Sequence, residues 1–199
     1  MNMFKSAFLA ACFVLGSAAT VFALTPPPGA GRLDIEIKKG QIQKDPAAPR
    51  EDIHVSYKGV LQKESIPVNL IMGSDNSSAD KMIAKMVEAN SKGDPIAMAS
   101  LFMPEERAVI MDSYQDPKLL KPNMQFFRQV TSAALEGYVV DKNVIYLLVS
   151  FEGQHSKKLV MPSVRTKEGY FLTNKQADLS TLAELAAAYP AGQIKAAQD

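Results

Sequence analysis

Three side chains of this sequence could perform acid–base chemistry. Asp112 and Tyr114 follow an apolar stretch at residues 109–111, and His155 lies in the polar sequence GQHSK at residues 153–157. An aspartate base with a tyrosine proton donor in an apolar pocket can abstract a proton or position a water, and imidazole titrates near neutral pH. These residues indicate a small acid–base enzyme, isomerase-like or dehydratase-like, with Asp112 as base assisted by Tyr114 or His155.

Each of these residues also has an ordinary structural explanation. An Asp and a Tyr two positions apart are common at a helix end, where the acid is solvated and the ring is partly buried. His155 follows a predicted strand in a turn beside two lysines, and His54 alternates with apolar strand residues, so both imidazoles are expected in solvent. The sequence contains no G-x-S-x-G, Walker, dinucleotide-glycine or H-E-x-x-H motif. We therefore favour a non-catalytic protein.

Methionines supply another candidate chemistry, because thioethers are soft ligands that suit Cu(I). Seven of them fall between Met72 and Met124. Met82 and Met86, however, share one helical face with Ile83 and Val87, which favours packing in a core. We predict no metal site and no cofactor, and keep Cu(I) binding as a third hypothesis.

A ligand pocket is the site that a non-catalytic protein of this composition would use. The predicted helices offer these lining residues: Met86, Phe102, Met111, Phe127 and Arg128. Flexible sulfurs among aromatic rings suit an adaptable apolar cavity. The expected partner is a small apolar ligand or, if the site is a surface, another envelope protein.

The first residues have the pattern of an export signal. Lys5 precedes an apolar run at residues 6–21, and a small-residue site predicts cleavage between Ala23 and Leu24. Residues 9–12 (LAAC) resemble a lipoprotein signal, but Cys12 lies too early in the apolar run, so lipid anchoring is less favoured. Cleavage after Ala23 would remove the single cysteine and with it any disulfide or thiolate ligand. The expected location is the periplasm or the exterior.

Charge excludes some partners. The chain has 22 Lys and Arg and 21 Asp and Glu, a formal net charge of +1, with both signs interspersed. Nucleic acids and anionic membrane surfaces call for a basic excess, so neither is expected as a partner. Past the signal we expect no membrane span, whereas a homodimer is compatible with the sequence.

Secondary-structure signals divide the rest of the chain. Residues 24–32 read as a Pro/Gly tether, and residues 33–73 as an N-terminal β segment with two or three strands. Helices are predicted from Ser77 to about Ser91, at residues 96–102 and near residues 123–133, with Gly93 ending the first, and Asp94 and Pro95 starting the second.

In the last third of the chain, apolar segments separated by short polar turns predict the strands of a sheet. Strands are predicted at residues 138–140, 144–151, 159–164 and 170–173, arranged as two hairpins. Because Pro162 lacks a backbone donor, its strand is expected at an edge or a bulge. Residues 176–199 should form a helix opened by a capping box from Thr181 to Glu184 and closed by Pro190, and the last nine residues should fray.

One stretch resembles a known family. Residues 82–90 (MIAKMVEAN), the turn at Gly93 and Asp94, and residues 97–102 (AMASLF) are similar to the opening helices of the NTF2-like superfamily. The resemblance implies an α+β domain at residues 77–175 whose curved antiparallel sheet forms a cone around an apolar pocket. Such members include isomerases and dehydratases as well as binding or dimerising modules. The strands before the helices depart from this pattern and imply either an added subdomain or extra strands on the same sheet.

The sequence thus predicts an exported α+β protein that acts as a non-catalytic binding or accessory module. The alternative is the small acid–base enzyme built on Asp112 with Tyr114 or His155.

Overall fold

The computed structural model describes residues 31–37, 53–70 and 75–197. The predicted signal peptide, with Cys12 and the cleavage site at Ala23 and Leu24, lies outside these residues. So do most of the predicted tether and the polar loop after the first strand.

The described residues form seven strands and five α-helices. The strands are β1 (Gly31–Ile37), β2 (Ile53–Val68), β3 (Val130–Asp141), β4 (Val144–Gly153), β5 (Lys157–Thr166), β6 (Gly169–Leu172) and β7 (Ile194–Ala196). The helices are α1 (Ala79–Lys92), α2 (Pro95–Ser100), α3 (Arg107–Gln115), α4 (Pro117–Arg128) and α5 (Leu179–Ala188), with a 3-10 turn at Pro104–Glu106. The predicted α+β class is confirmed.

All seven strands belong to one open antiparallel sheet in the order β6-β5-β4-β3-β2-β1-β7. The N-terminal strands therefore extend the sheet formed by the later hairpins. Of the two predicted arrangements, an added subdomain or extra strands on the same sheet, the structure has the second. β2 is a single strand of 16 residues that pairs with β1 through its first half and with β3 through most of its length.

Both faces of this sheet are covered. In β4, Ile145, Leu147 and Val149 pack with the cluster that includes α1 to α4, whereas Tyr146 and Leu148 pack with the cluster that includes α5. A strand buried on both sides reads as a continuous apolar run, which explains the sequence of β4.

The turn between the first two helices is as predicted, although α2 ends at Ser100, two residues before its predicted end. Gly93 ends α1 with φ 68, a left-handed conformation that favours glycine. Asp94 caps α2 by accepting hydrogen bonds from the backbone N–H groups of Ile96 and Ala97, and Pro95 occupies the first helical position.

The predicted helix near residues 123–133 is wrong in both bounds. It starts at Pro117, because the Asp116 side chain accepts a hydrogen bond from the Lys118 N–H, and it continues through Pro122. It ends at Arg128, and the residues from Val130 onward belong to β3. Every second residue from Ala133 to Val139 is buried, which is the alternation of a strand with one face in the core.

Pro162 does not lie in an edge strand, since β5 lies between β4 and β6. Its backbone carbonyl accepts a hydrogen bond from the Thr173 N–H just beyond the end of β6. In an antiparallel strand the N–H and C=O of one residue point to the same side. The missing donor therefore faces the place where β6 ends, and little pairing is lost.

The C-terminal predictions need two corrections. The N-cap of α5 is Asp178, whose carboxylate accepts hydrogen bonds from the N–H groups of Ser180 and Thr181, so the capping box is not the start of the helix. The last residues also do not all fray, because Ile194–Ala196 pairs with β1 at the sheet edge.

Candidate functional site

The three candidate catalytic residues do not contact one another through hydrogen bonds. Asp112 is exposed on α3, and His155 is exposed in the connection between β4 and β5. Tyr114 is partly buried, and its hydroxyl donates a hydrogen bond to Asn90 Oδ1 at 3.3 Å. Burial raises the pKa of Tyr114. No hydrogen bond links any two of these three described side chains, so the acid–base arrangement is not assembled in the structure.

Most of the candidate pocket residues fill the core instead of lining a cavity. Met86, Phe102 and Phe127 are buried, and Met111 packs against the same cluster. The rings of Phe126, Phe127 and Phe151 meet edge to face, with centroids 5.0 to 6.3 Å apart. Only Arg128 among the predicted lining residues is exposed.

The helical methionines also lie in this core. Met82 is fully buried and Met98 is 2 % exposed. The Met98 sulfur accepts a hydrogen bond from the Asn90 side-chain amide at 3.0 Å. These positions match the core-packing interpretation of the methionine pattern. Within residues 31–37, 53–70 and 75–197, no group of three or more His, Asp or Glu side chains is placed to hold a metal ion.

A surface groove of about 270 Å³ lies along the second half of α4. Its lining residues are Lys121, Met124, Gln125, Arg128 and Gln129. Residues three or four apart share one face of a helix, so the spacing of Lys121, Gln125 and Arg128 places all three on the groove side. Sequence reasoning found only Arg128, because its predicted helix began after Lys121.

The floor of the groove is fixed where α4 crosses the end of α1. Met124 packs against Gly93, where an added Cβ would lie 2.5 Å from the Met124 sulfur. The Arg128 Nε donates a hydrogen bond to the Ser91 carbonyl at 2.9 Å. The glycine that ends α1 therefore also makes room for the groove, and Arg128 is oriented by the backbone it touches.

The groove is electropositive. Lys118, Lys121 and Arg128 are the charged residues of α4, and residues 117–128 contain no acid. On the adjoining helix, the Glu88 carboxylate is paired with the Lys92 ammonium four residues later. No hydrogen bond within the described residues engages the Lys121 ammonium or the Gln125 and Gln129 side-chain amides. These groups are available to a partner.

Three further polar clusters are structural. Glu106 is 7 % exposed and holds the loop after β6: its carboxylate accepts hydrogen bonds from the Thr173 hydroxyl and from the backbone N–H groups of Asn174 and Lys175. This role of Glu106 cannot be predicted from the sequence, because the 3-10 turn and the loop after β6 are far apart in the chain.

The second cluster ties α5 to the sheet. The Tyr57 hydroxyl donates a hydrogen bond to Glu184 at 2.6 Å, and the Thr181 hydroxyl donates one to Asp141 at 2.9 Å. Burial, followed by the hydrogen bond to Glu184, raises the pKa of Tyr57.

The third cluster lies at the other end of α5. Burial alone would raise the pKa of Glu136, but the hydrogen bond from the Lys158 ammonium, at 2.8 Å, lowers it. Burial and Glu136 together raise the pKa of Tyr189, whose ring lies under the same ammonium.

None of the helices in the described parts of the chain has the length and apolarity needed to cross a membrane. Comparisons of the chain with protein-family models, with curated proteins and with solved structures found no match.

Proposed function

We propose that this protein is an exported, non-catalytic binding or accessory module whose interaction surface is the α4 groove. The observation that carries the proposal is the groove itself, a concave surface whose lysine and glutamine side chains have no partner among the described residues. The acid–base alternative has no comparable support, since the Tyr114 hydroxyl is engaged by Asn90 and not by Asp112.

The size of the groove favours a macromolecular partner over the small apolar ligand. Pockets that enclose a small molecule usually measure about 300 to 1,000 Å³ and bury most of the ligand. A groove of about 270 Å³ open along a helix surface suits one or two side chains of a larger partner. An envelope protein is therefore the partner we propose.

Export and the NTF2-like relationship belong to the same proposal. Residues 1–23 support export, with release at Leu24 and a periplasmic or secreted location. The order of α1, α2 and the antiparallel strands β3 to β6 supports the NTF2-like relationship. The helix α5 on the opposite sheet face is an addition that the resemblance did not imply.

The binding surface can be tested by site-specific photo-crosslinking in the producing cells. A photoreactive residue at Gln125 should yield a discrete adduct with one protein, identified by mass spectrometry, and Lys121→Glu in the same chain should abolish it. Lys63, exposed on β2, provides the control position and should yield no such adduct. The same adducts from both positions, or none from Gln125, would refute the proposed surface.

Export is tested by the mass of the protein recovered from the periplasm or medium. We expect the chain to begin at Leu24. A full-length cytoplasmic protein, or one carrying lipid on Cys12, would contradict this part of the proposal.

A further inference from the structure

The groove presents two cations on one helix face. Lys121 and Arg128 are seven residues apart on one helix, which corresponds to about 10 Å along its axis at 1.5 Å per residue. Gln125 lies between them, and Met124 forms an apolar floor against Gly93. The surface is thus polar and positive at both ends and apolar at the middle.

Arg128 is held in a geometry that suits a carboxylate. Its Nε is engaged by the Ser91 carbonyl, and its two terminal nitrogens have no acceptor in the described chain. A guanidinium in this arrangement presents paired N–H donors, which match the two oxygens of a carboxylate. Because one donor is already anchored to backbone, less side-chain freedom is lost when a ligand binds.

The acids that flank α4 are engaged by other groups. Glu88 is paired with Lys92, Asp94 caps α2 and Asp116 caps α4. Residues 117–128 carry three cations and no acid, and this local excess of positive charge favours an anionic ligand.

We infer that the α4 groove binds an acidic polypeptide segment in which two carboxylates flank an apolar side chain. The carboxylates meet Arg128 and Lys121, and the apolar side chain contacts Met124. This inference rests on the proposed function and specifies the chemistry of its partner. A polypeptide is favoured over an anionic bilayer because the site is a groove of about 270 Å³, whereas membrane attachment requires a broad basic surface.

Fluorescence anisotropy with a defined probe tests the inference. The probe is a fluorescent Gly/Ser peptide with two glutamates flanking one leucine, added to the chain purified from the producing cells. Lys121→Glu and Arg128→Gln should each weaken binding about tenfold or more, since each removes a close charge pair. Lys63→Glu, the matched control away from the groove, should leave binding within about twofold. Added salt should weaken binding by the wild type, because exposed charge pairs are screened.

Peptide variants and vesicles decide the chemistry. Replacing both glutamates with glutamine should abolish binding, and replacing the leucine with serine should weaken it severalfold. Equal binding of the glutamine peptide, or insensitivity to Lys121→Glu, would overturn the inference. Tighter, Lys121-dependent binding to vesicles rich in an anionic phospholipid would overturn it in favour of a membrane surface. Circular dichroism of each variant separates lost binding from lost folding, and Lys121→Glu alters a side chain that makes no described contact.

Failure of this inference is distinguishable from failure of the proposed function. If the acidic peptide does not bind but Gln125 still crosslinks one protein in cells, the groove is an interaction surface with a different partner chemistry. If neither occurs, the surface itself is wrong.

Discussion

Replacement of Glu106 by glutamine should destabilise the protein far more than the same change at an exposed glutamate would. The carboxylate is 7 % exposed, and its Oε2 accepts hydrogen bonds from the N–H groups of Asn174 and Lys175 at 2.8 and 3.2 Å. Glutamine is nearly the same shape, and its amide can turn so that its oxygen accepts from those two N–H groups while its nitrogen donates to the Thr173 hydroxyl. The change therefore removes the charge from these hydrogen bonds without a change in packing.

The expected magnitude follows from these contacts. A hydrogen bond to a charged group contributes about 1.5 to 3 kcal/mol and a neutral one about 0.5 to 1.5 kcal/mol, so loss of the charge costs about 1 kcal/mol for each of the two backbone hydrogen bonds. We expect a loss of about 2 kcal/mol in the free energy of unfolding. For a chain of this size that corresponds to a fall in Tm of roughly 4 to 8 °C.

Urea unfolding followed by circular dichroism measures this loss. Glu105→Gln is the matched control, since Glu105 is exposed on the same turn and should change stability by less than about 0.5 kcal/mol. Thr173→Val removes the hydroxyl that donates to the other carboxylate oxygen and should not be additive with Glu106→Gln. A Glu106→Gln protein as stable as the Glu105→Gln protein would refute the assignment of Glu106 as the residue that holds this loop.

Three further outcomes are expected. The raised pKa values of Tyr57 and Tyr189 favour their neutral forms in the folded state, so the stability that these side chains contribute is complete below pH about 10 and is lost as pH rises above it. Tyrosinate absorbance should therefore appear together with unfolding, and independent titration of all tyrosines would contradict this. Thermal unfolding should show that Gly169→Ala destabilises the protein by about 2 kcal/mol or more, because φ is +127 and the new Cβ would lie 2.0 Å from the Asn76 carbonyl oxygen. Gly192→Ala is the control: its φ is +68, the space around it is open, and it should destabilise by only about 1 kcal/mol. Hydrogen exchange should be faster in α4 than in α1 and should slow in α4 when the acidic peptide binds; unchanged α4 exchange in the complex would argue against the groove.

The features that the sequence predicted correctly are those determined by neighbouring residues. Gly93, Asp94 and Pro95 form a local unit in which a left-handed turn, a cap and a preset φ all act within three positions. The hairpin of β3 and β4 is similarly local, closed by a turn in which Lys142 adopts a positive φ of 53. Such signals need no knowledge of the rest of the fold.

Features that depend on distant partners were missed. β7 has only three residues and exists because β1 offers a free edge at the end of the sheet. The register between β2 and β3 shifts between Leu61 and Ile66, and Gly137 lies at this irregularity, where a Cβ would be 2.3 Å from the Val60 carbonyl oxygen. A short strand and a bulge are specified by pairing across the sheet, which a single sequence does not display.

The groove was missed for a more specific reason. Proline in a helix interior removes a hydrogen bond, so the sequence predicts a helix near residues 123–133, which excludes Pro122. In the structure, the Asp116 cap and Pro117 start the helix one turn earlier, and Pro122 is carried inside it. Lys121 consequently joins Gln125 and Arg128 on one face, and the cationic pair at the two ends of the groove becomes visible only in the folded chain.

The composition of α4 suits a binding surface. Its one buried side chain is Phe127, whereas α1 buries seven. Helices in proteins gain most of their stability from packing, so a helix that buries little and contains an internal proline contributes less to the fold than its length allows. The core is completed by α1, by both faces of the sheet and by α5. The exposed side of α4 can therefore carry three cations at small cost to folding, and Lys121 and Arg128 remain available to a partner.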